Sequence, residues 1–195
     1  RLIPFTFSTE QTYILEFGNL YIRFFKDDGQ ITEGNKVISA ITKANPGVVT
    51  ATSHGYSNGD FVNISGVVGM TEVNNKTFKV ANKATNTFEL TDVDGTNVNT
   101  TNFTTYSSDG VANRIYQITT EFTTAQIFDL KFAQSADVMY LTHPSHEVTK
   151  LSRTGHTSWS LDEVDFGTKG PYFDANTTTT TLTPASASVA TGVNL

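Results

Sequence analysis

Hydrophobic and polar residues alternate along most of this chain, and the period is two. In Thr12–Phe17 the side chains of Tyr13, Leu15 and Phe17 share one face. In Leu20–Phe25, Leu20, Ile22 and Phe24 share a face, with Tyr21, Arg23 and Phe25 opposite. This alternation predicts half-buried strands. Gly18-Asn19 lies between the two runs, so they read as a β-hairpin. Asp27-Asp28-Gly29 makes the next turn, and Gln30–Ser39 continues as strand-like sequence. From Asn45-Pro46-Gly47, a breaker cluster, the strand candidates shorten. They are Val48–Ala51, Asp60–Ser65, Thr77–Ala81 and Thr87–Thr91. Val62 and Ile64, Phe78 and Val80, and Phe88 and Leu90 are their inward positions. Short strands at such regular spacing fit a small β-barrel or sandwich. Asp92–Asp109 is a long polar segment, and Gly110–Thr120 is strand-like again, with Ile115 and Ile118 apolar.

We read Ile41–Asn113 as an insertion. Its flanks, Lys36–Ala40 and Arg114–Thr119, are expected to be neighbouring strands of a host domain. An insertion whose ends leave and return side by side costs little loop entropy. Beyond it, Leu130 and Phe132 alternate, and Asp137–Leu141 and Glu147–Leu151 flank the turn His143-Pro144-Ser145-His146. Ser158–Val164 is a further strand and holds the one tryptophan, Trp159. The order of strands and turns from Phe5 to Phe24 resembles that from Leu130 to Leu151. That pattern fits propeller blades, and it also fits any β-meander. The fold class is therefore all-β. A discontinuous β-meander host of blade-like character covers 1–40 and 114–174. A small β-barrel is inserted at 41–113. Residues 175–195, rich in Thr and Ser, carry too little bulky apolar content to build a core and read as a connector.

Composition agrees with this reading. Charged residues are 16% of the 195, below the roughly 25% of a typical chain. Thr, Ser and Asn fill the polar positions, which favours strands and turns over helix. The formal charge of -6 leaves no basic footprint for nucleic acid. The absence of cysteine excludes disulfides, thiolate catalysis and cysteine-bound zinc. No apolar run reaches the roughly 18 residues of a membrane span. The sequence opens at Arg1 without Met and enters Leu2-Ile3-Pro4-Phe5 directly, so we expect a domain belonging to a longer product.

Candidate chemistry is sparse. His143 and His146 are three apart with His156 nearby, but Pro144 places them in a turn. Zinc would need further ligands, for which Glu147 and Asp137 are the candidates. The plain reading is turn histidines, with His156 capping its turn and His54 set by loop geometry before Gly55. Asp27-Asp28, Asp92/Asp94 and Asp162/Glu163/Asp165 are the carboxylate groups. Adjacent strand residues point to opposite faces, so Asp162/Glu163 is no glycosidase pair by itself. Asp92-Val-Asp94-Gly95 starts like a calcium loop, but Phe103 stands where the last ligand is needed. No G-x-S-x-G and no phosphate loop occur. The aromatics Phe5, Phe7, Tyr13, Phe17, Phe24 and Phe25 follow strand alternation and are first of all core; an exposed stripe for sugar stacking is the alternative. We expect no enzyme, with no catalytic, cofactor or metal residues.

Two resemblances add to this. Arg1-Leu-Ile-Pro-Phe-Thr-Phe-Ser-Thr-Glu-Gln-Thr-Tyr-Ile-Leu-Glu-Phe17, Tyr21-Ile-Arg-Phe24, Asp28-Gly29-Gln30, Ala136-Asp-Val-Met-Tyr-Leu141, His143-Pro144, Lys150-Leu-Ser-Arg153 and His156-Thr-Ser-Trp159 resemble a family of phage tail or virion proteins. That family in turn resembles the propeller-rich tail-tube nozzle proteins of short-tailed phages, a step that rests on architecture. The resemblance implies a structural component of a bacteriophage tail, of nozzle or hub type. It implies partners too: other copies in a ring and adjacent adaptor or fibre proteins, with no specific nucleic acid and no membrane span. Its place would be the virion, after synthesis in the bacterial cytoplasm. The alternative is a module binding a host-surface glycan. Val48-Val-Thr-Ala-Thr-Ser-His54-Gly55-Tyr-Ser-Asn-Gly59-Asp60-Phe-Val-Asn-Ile64, Gly69-Met70, Asn75, Thr77-Phe78-Lys-Val80 and Asn86-Thr-Phe88-Glu-Leu90 resemble the FCCH-type β-barrel of ubiquitin-activating enzymes. There it is not the adenylating site, and no cysteine is present here to accept ubiquitin.

Overall fold

The structure, a computed structural model, describes residues 1–7 and 12–167. The expected connector at 175–195 and the end of the expected host domain lie outside the described residues. The chain divides into two units, Arg1–Glu163 and Val164–Leu195, and the sheets formed by the described residues belong to the first. Its strands begin with β1 (Leu2–Thr6), β2 (Thr12–Gly18), β3 (Tyr21–Lys26), β4 (Gly29–Gln30), β5 (Thr32–Val37) and β6 (Ala40–Ile41). They continue with β7 (Val48–Thr50), β8 (Phe61–Ser65), β9 (Lys76–Ala81), β10 (Thr87–Thr91) and β11 (Val111–Ile115). The last are β12 (Gln117–Thr119), β13 (Lys131–Ser135), β14 (Val138–His143), β15 (His146–Gly155) and β16 (Ser158–Glu163). Among the described residues the one helical element is a 3-10 turn at Thr71–Val73.

Three antiparallel sheets result. The first has the order β1-β2-β3-β12, with β4 added to β3. The third is the meander β13-β14-β15-β16. These two share one core. Ile3, Phe5, Tyr13, Leu15, Phe17, Ile22 and Phe24 come from the first sheet, and Met139, Leu141, Leu151 and Trp159 from the third. Trp159 is the centre. Phe24 stacks on it at 4.4 Å, and Phe5 and Tyr13 meet it edge-on at 4.8 and 5.3 Å. Mixed stacked and edge contacts of this kind are the preferred aromatic geometries. Each sheet has four main strands, and the fourth strand of the first is separated from the other three by the insertion.

The second sheet has the order β5-β11-β8-β9-β10-β7-β6 and a core of its own, including Ile38, Val49, Tyr56, Val62, Ile64, Val80, Phe88 and Leu90. The expected barrel is not closed, because no ladder joins the two edges of this sheet. Both edges belong to one run of chain instead. Its first half, β5, pairs with β11, and its second half, β6, pairs with β7. At the bend, Ile38 N–H donates to Gly110 C=O and Ser39 N–H to Thr50 C=O, both at 2.9 Å. The seam is bridged by the covalent chain.

Sheet pairing also moves the boundary expected at 40/41 and 113/114. Val37 does lie opposite Val111 and Lys36 opposite Ala112, so the flanks are neighbours. β11 is bonded on its other side to β8, however, with Ala112 opposite Ile64. That places β5 and β11 in the second sheet rather than the host's. The crossing lies at Ile31 and Tyr116, where Tyr116 N–H donates to Ile31 C=O at 2.9 Å and Ile31 N–H to Phe24 C=O at 2.8 Å.

One side chain departs from the expected alternation. Leu20 was expected inward with Ile22 and Phe24, yet it is 44% exposed. It sits in the turn with a φ of 65°, and that backbone reversal breaks the phase of the strand. Asp27 and Asp28, at φ 52° and 60°, form the second turn of this meander. Paired left-handed residues match the twist of a tight hairpin, and Asp tolerates that region.

Candidate interaction surfaces

Two surfaces stand out, one at the junction of the sheets and one on the far side of the first sheet. At the junction, Arg23 projects from β3 and lies over two rings. Its guanidinium carbon is 4.3 Å from the Tyr21 centroid and 4.4 Å from that of Phe61, on β8 of the second sheet. Arg23 Nε also donates to Gln117 Oε1 at 3.1 Å. Nearby, Arg114 on β11 donates through Nε and Nη2 to Glu33 Oε2 on β5, and reaches Asp60 at 3.5 Å. The Glu33 hydrogen bond, ahead of any other influence, raises the Arg114 pKa further. These groups line a cleft of about 320 Å³ with Phe61, Gln117 and Thr119. Every charged group in it already has a partner within the second sheet, and the contact that clasps the first sheet to the second is Arg23 over Phe61.

The second surface is the face of the first sheet turned away from the Trp159 core. Strand alternation that buries Ile3, Tyr13, Leu15 and Phe24 sends Leu2, Ile14 and Phe25 to the other side. Leu2 is 67% exposed and Ile14 37%. With Thr12 and the Lys26-Asp27-Asp28 turn they line a cleft of about 470 Å³. Exposed apolar residues gathered on one sheet face mark a contact site more often than scattered ones do.

The histidines separate into three settings. His143 and His146 have ring centroids 5.2 Å apart, and His146 Nδ1 lies 3.2 Å from Glu121 Oε2. Glu121 was not among the residues singled out from sequence, since it lies before β13 and reaches His146 only through the fold. Of the expected ligand candidates, Asp137 is engaged elsewhere, accepting from Arg153 at 3.1 Å, and Glu147 lines a surface hollow with His146 and Glu121. His156 is elsewhere, its Nδ1 2.7 Å from the Tyr13 hydroxyl. His54 is buried; its Nδ1 accepts from Tyr56 N–H at 3.0 Å and its Nε2 lies 3.2 Å from Thr87 C=O. Among the described residues no group of three or more His, Asp or Glu is arranged to hold a metal ion.

The carboxylates serve local turns. Asp92 Oδ1 accepts from Asp94 N–H at 3.0 Å and Thr96 N–H at 2.9 Å. Asp27 pairs with Lys26 at 2.6 Å, Asp162 accepts from Ser160, and Asp165 accepts from Gly167 N–H. Of the aromatics considered for sugar stacking, Phe5, Tyr13, Phe17 and Phe24 are buried. They are unavailable to a ligand without unfolding the core. Sequence reading also missed two arginines that tie the sheets together. Arg1 Nη1 donates to the carbonyls of Ile127, Phe128 and Leu130. Arg153 of β15 lies over Phe7 and Tyr13 at 4.2 and 5.0 Å. No spacing in the sequence announces such contacts.

The second sheet can be placed by comparison. Residues 44–115 match the ubiquitin-activating enzyme E1 FCCH domain. The match covers β7 to β11, so the inserted module is of FCCH type, and β5 and β6 complete its sheet from outside the matched region. Ubiquitin-like modifier-activating enzyme 1 of Oryctolagus cuniculus is 34% identical over 109 residues, which is 51% of this chain and 10% of that protein. The proteins of the same name from Homo sapiens and Rattus norvegicus are 33% and 31% identical over the same length. The chain thus spans about a tenth of the relatives it matches. The FCCH domain is what they have in common with it.

Proposed function

We propose that this chain is a structural component of a bacteriophage tail, of nozzle or hub type, that assembles with copies of itself and contacts neighbouring virion proteins. The observation that carries the reading is where the phage-like blocks fall. The described residues of the first block (1–7 and 12–17), with Tyr21–Phe24, Ala136–Leu141, Lys150–Arg153 and His156–Trp159, all belong to the two sheets that share the Trp159 core. None belongs to the FCCH-type module between them. The blocks therefore describe one discontinuous domain, and the FCCH-type module decorates it.

The same division argues against ubiquitin chemistry as the role of the chain. Its likeness to the activating enzymes covers the FCCH domain alone, and no cysteine is present. Catalysis finds little footing either, because the carboxylates serve turns and ion pairs. Of the aromatics named for the glycan-binding alternative, Phe5, Tyr13, Phe17 and Phe24 are buried, and Phe25 lines the outer cleft with Leu2 and Ile14.

Mass spectrometry of purified virions of the phage encoding the chain is expected to recover its peptides at a fixed copy number. Antibody labelling in electron microscopy is expected to place them on the tail. A protein that stays in the lysate and never joins virions would sink the reading.

A further inference from the structure

The two sheets around Trp159 have outer faces that point in opposite directions, because the shared core lies between them. The faces differ in character. On the first sheet, Leu2, Ile14 and Phe25 floor the 470 Å³ cleft, and Asp27 and Asp28 stand at its rim. On the third sheet, Tyr140, 41% exposed, stands in a cross-strand row with Lys150 and then Asp162, and Lys131 lies on the same face one pair further along. Lys131, Lys150 and Asp28 take part in no ion pair among the described residues. One face offers an apolar hollow edged by Lys26, Asp27 and Asp28, acidic on balance, and the other an aromatic ring among Lys131, Lys150 and Asp162, basic on balance.

From this the geometry points to a head-to-tail contact between copies of the chain. In it the Tyr140 ring of one copy enters the Leu2–Ile14–Phe25 cleft of the next, and Lys131 and Lys150 meet Asp27 and Asp28. It rests on the ring-forming reading above and names the surfaces. The mode of packing already exists inside the chain, where an aromatic of the third sheet, Trp159, seats on the first sheet's inner face. Two unlike faces on opposite sides of one protomer make a heterologous contact, which propagates and closes into a ring when the rotation permits. A two-fold contact of the cleft face with itself would offer Asp28 the Lys26 ammonium, which is already paired with Asp27 at 2.6 Å.

The test is sedimentation velocity of the full chain at low ionic strength across a wide concentration range. The wild type is expected to associate, and more weakly as salt is added. Asp28→Lys and Lys150→Glu are each expected to weaken association at least tenfold while leaving Trp159 fluorescence unchanged. Mixing the two variants is expected to restore it, because the reversed charges complement each other and the remaining faces are wild type. Tyr140→Ser is expected to dissociate the assembly without any charge change. A strictly monomeric wild type, a Lys150→Glu variant that associates normally, or a mixture that does not recover overturns the contact. Association driven by the FCCH-type module would show as insensitivity to all three variants and would overturn it too. If the chain proves monomeric and yet the intact protein is found in virions, this contact fails while the structural reading stands.

Discussion

Tyr56→Phe removes one oxygen from the core of the FCCH-type module and tests how that core is held. The Tyr56 side chain is 4% exposed, and its hydroxyl donates to Ala112 C=O at 2.8 Å. Its ring rests against His54 and Phe88 at 4.9 and 5.5 Å. The phenylalanine ring keeps those contacts, so the loss is chiefly the hydrogen bond, about 1 kcal/mol at neutral pH. Burial, the largest influence, pushes the Tyr56 pKa from 10.0 up to about 12. An acid whose folded-state pKa lies above its unfolded one contributes stability that is complete below the unfolded value. That stability is then lost as pH rises toward the folded value. Between those limits the wild type loses about 1.4 kcal/mol for each pH unit, so roughly that much is gone by pH 11. The variant has no such group. Urea unfolding of both proteins, followed by far-UV circular dichroism at pH 7 and pH 11, is expected to show a gap of about 1 kcal/mol that closes or reverses. Other tyrosines titrate equally in the two proteins and cancel. A gap of the same size at both pH values would refute the assignment of a buried, donating hydroxyl.

Two further outcomes follow from the contacts described. Trp159→Ala empties the centre of the host core and is expected to cost about 3–5 kcal/mol, with calorimetry showing the host transition shifted down while hydrogen exchange in β8 to β10 stays protected. Arg23→Ala removes two cation–π contacts and is expected to cost about 1–2 kcal/mol; Arg23→Lys recovers little of it because the stacked planar group is gone. Hydrogen exchange is expected to speed up at Gln117 and Phe61 in both Arg23 variants, and unchanged protection there would dismiss the clasp.

Alternation made the strands legible. Val62 and Ile64, Phe78 and Val80, and Phe88 and Leu90 are all inward and buried, because a half-buried strand must send every second side chain to the core. Leu20 fits the same pattern in sequence, but its turn conformation takes it out of the strand. Periodicity reports which face a residue would take, without reporting where the strand begins. The boundary of the insertion shifted for a related reason. β11 has two neighbours, and only the second, β8, decides to which sheet it belongs. The surfaces were less legible still. Arg23 and Phe61, Glu121 and His146, and Tyr13 and His156 are pairs distant in sequence that meet through sheet packing. The apolar outer face of the first sheet was hidden by its own regularity, since Leu2, Ile14 and Phe25 read as ordinary strand positions.

The hydrogen bond between Tyr116 and Ile31 has a consequence for the order in which the chain folds. Roughly 85 residues separate these two positions, and β12 cannot join β3 until they are brought together. Closing so long a loop in an unfolded chain is costly. A folded FCCH-type module presents both ends side by side and reduces the effective loop to a few residues, which lowers the closure cost by about 2–3 kcal/mol. The module thereby acts as a template for the host's fourth strand. A lesion buried wholly within it reaches the host domain through chain entropy, with no altered contact in the host itself.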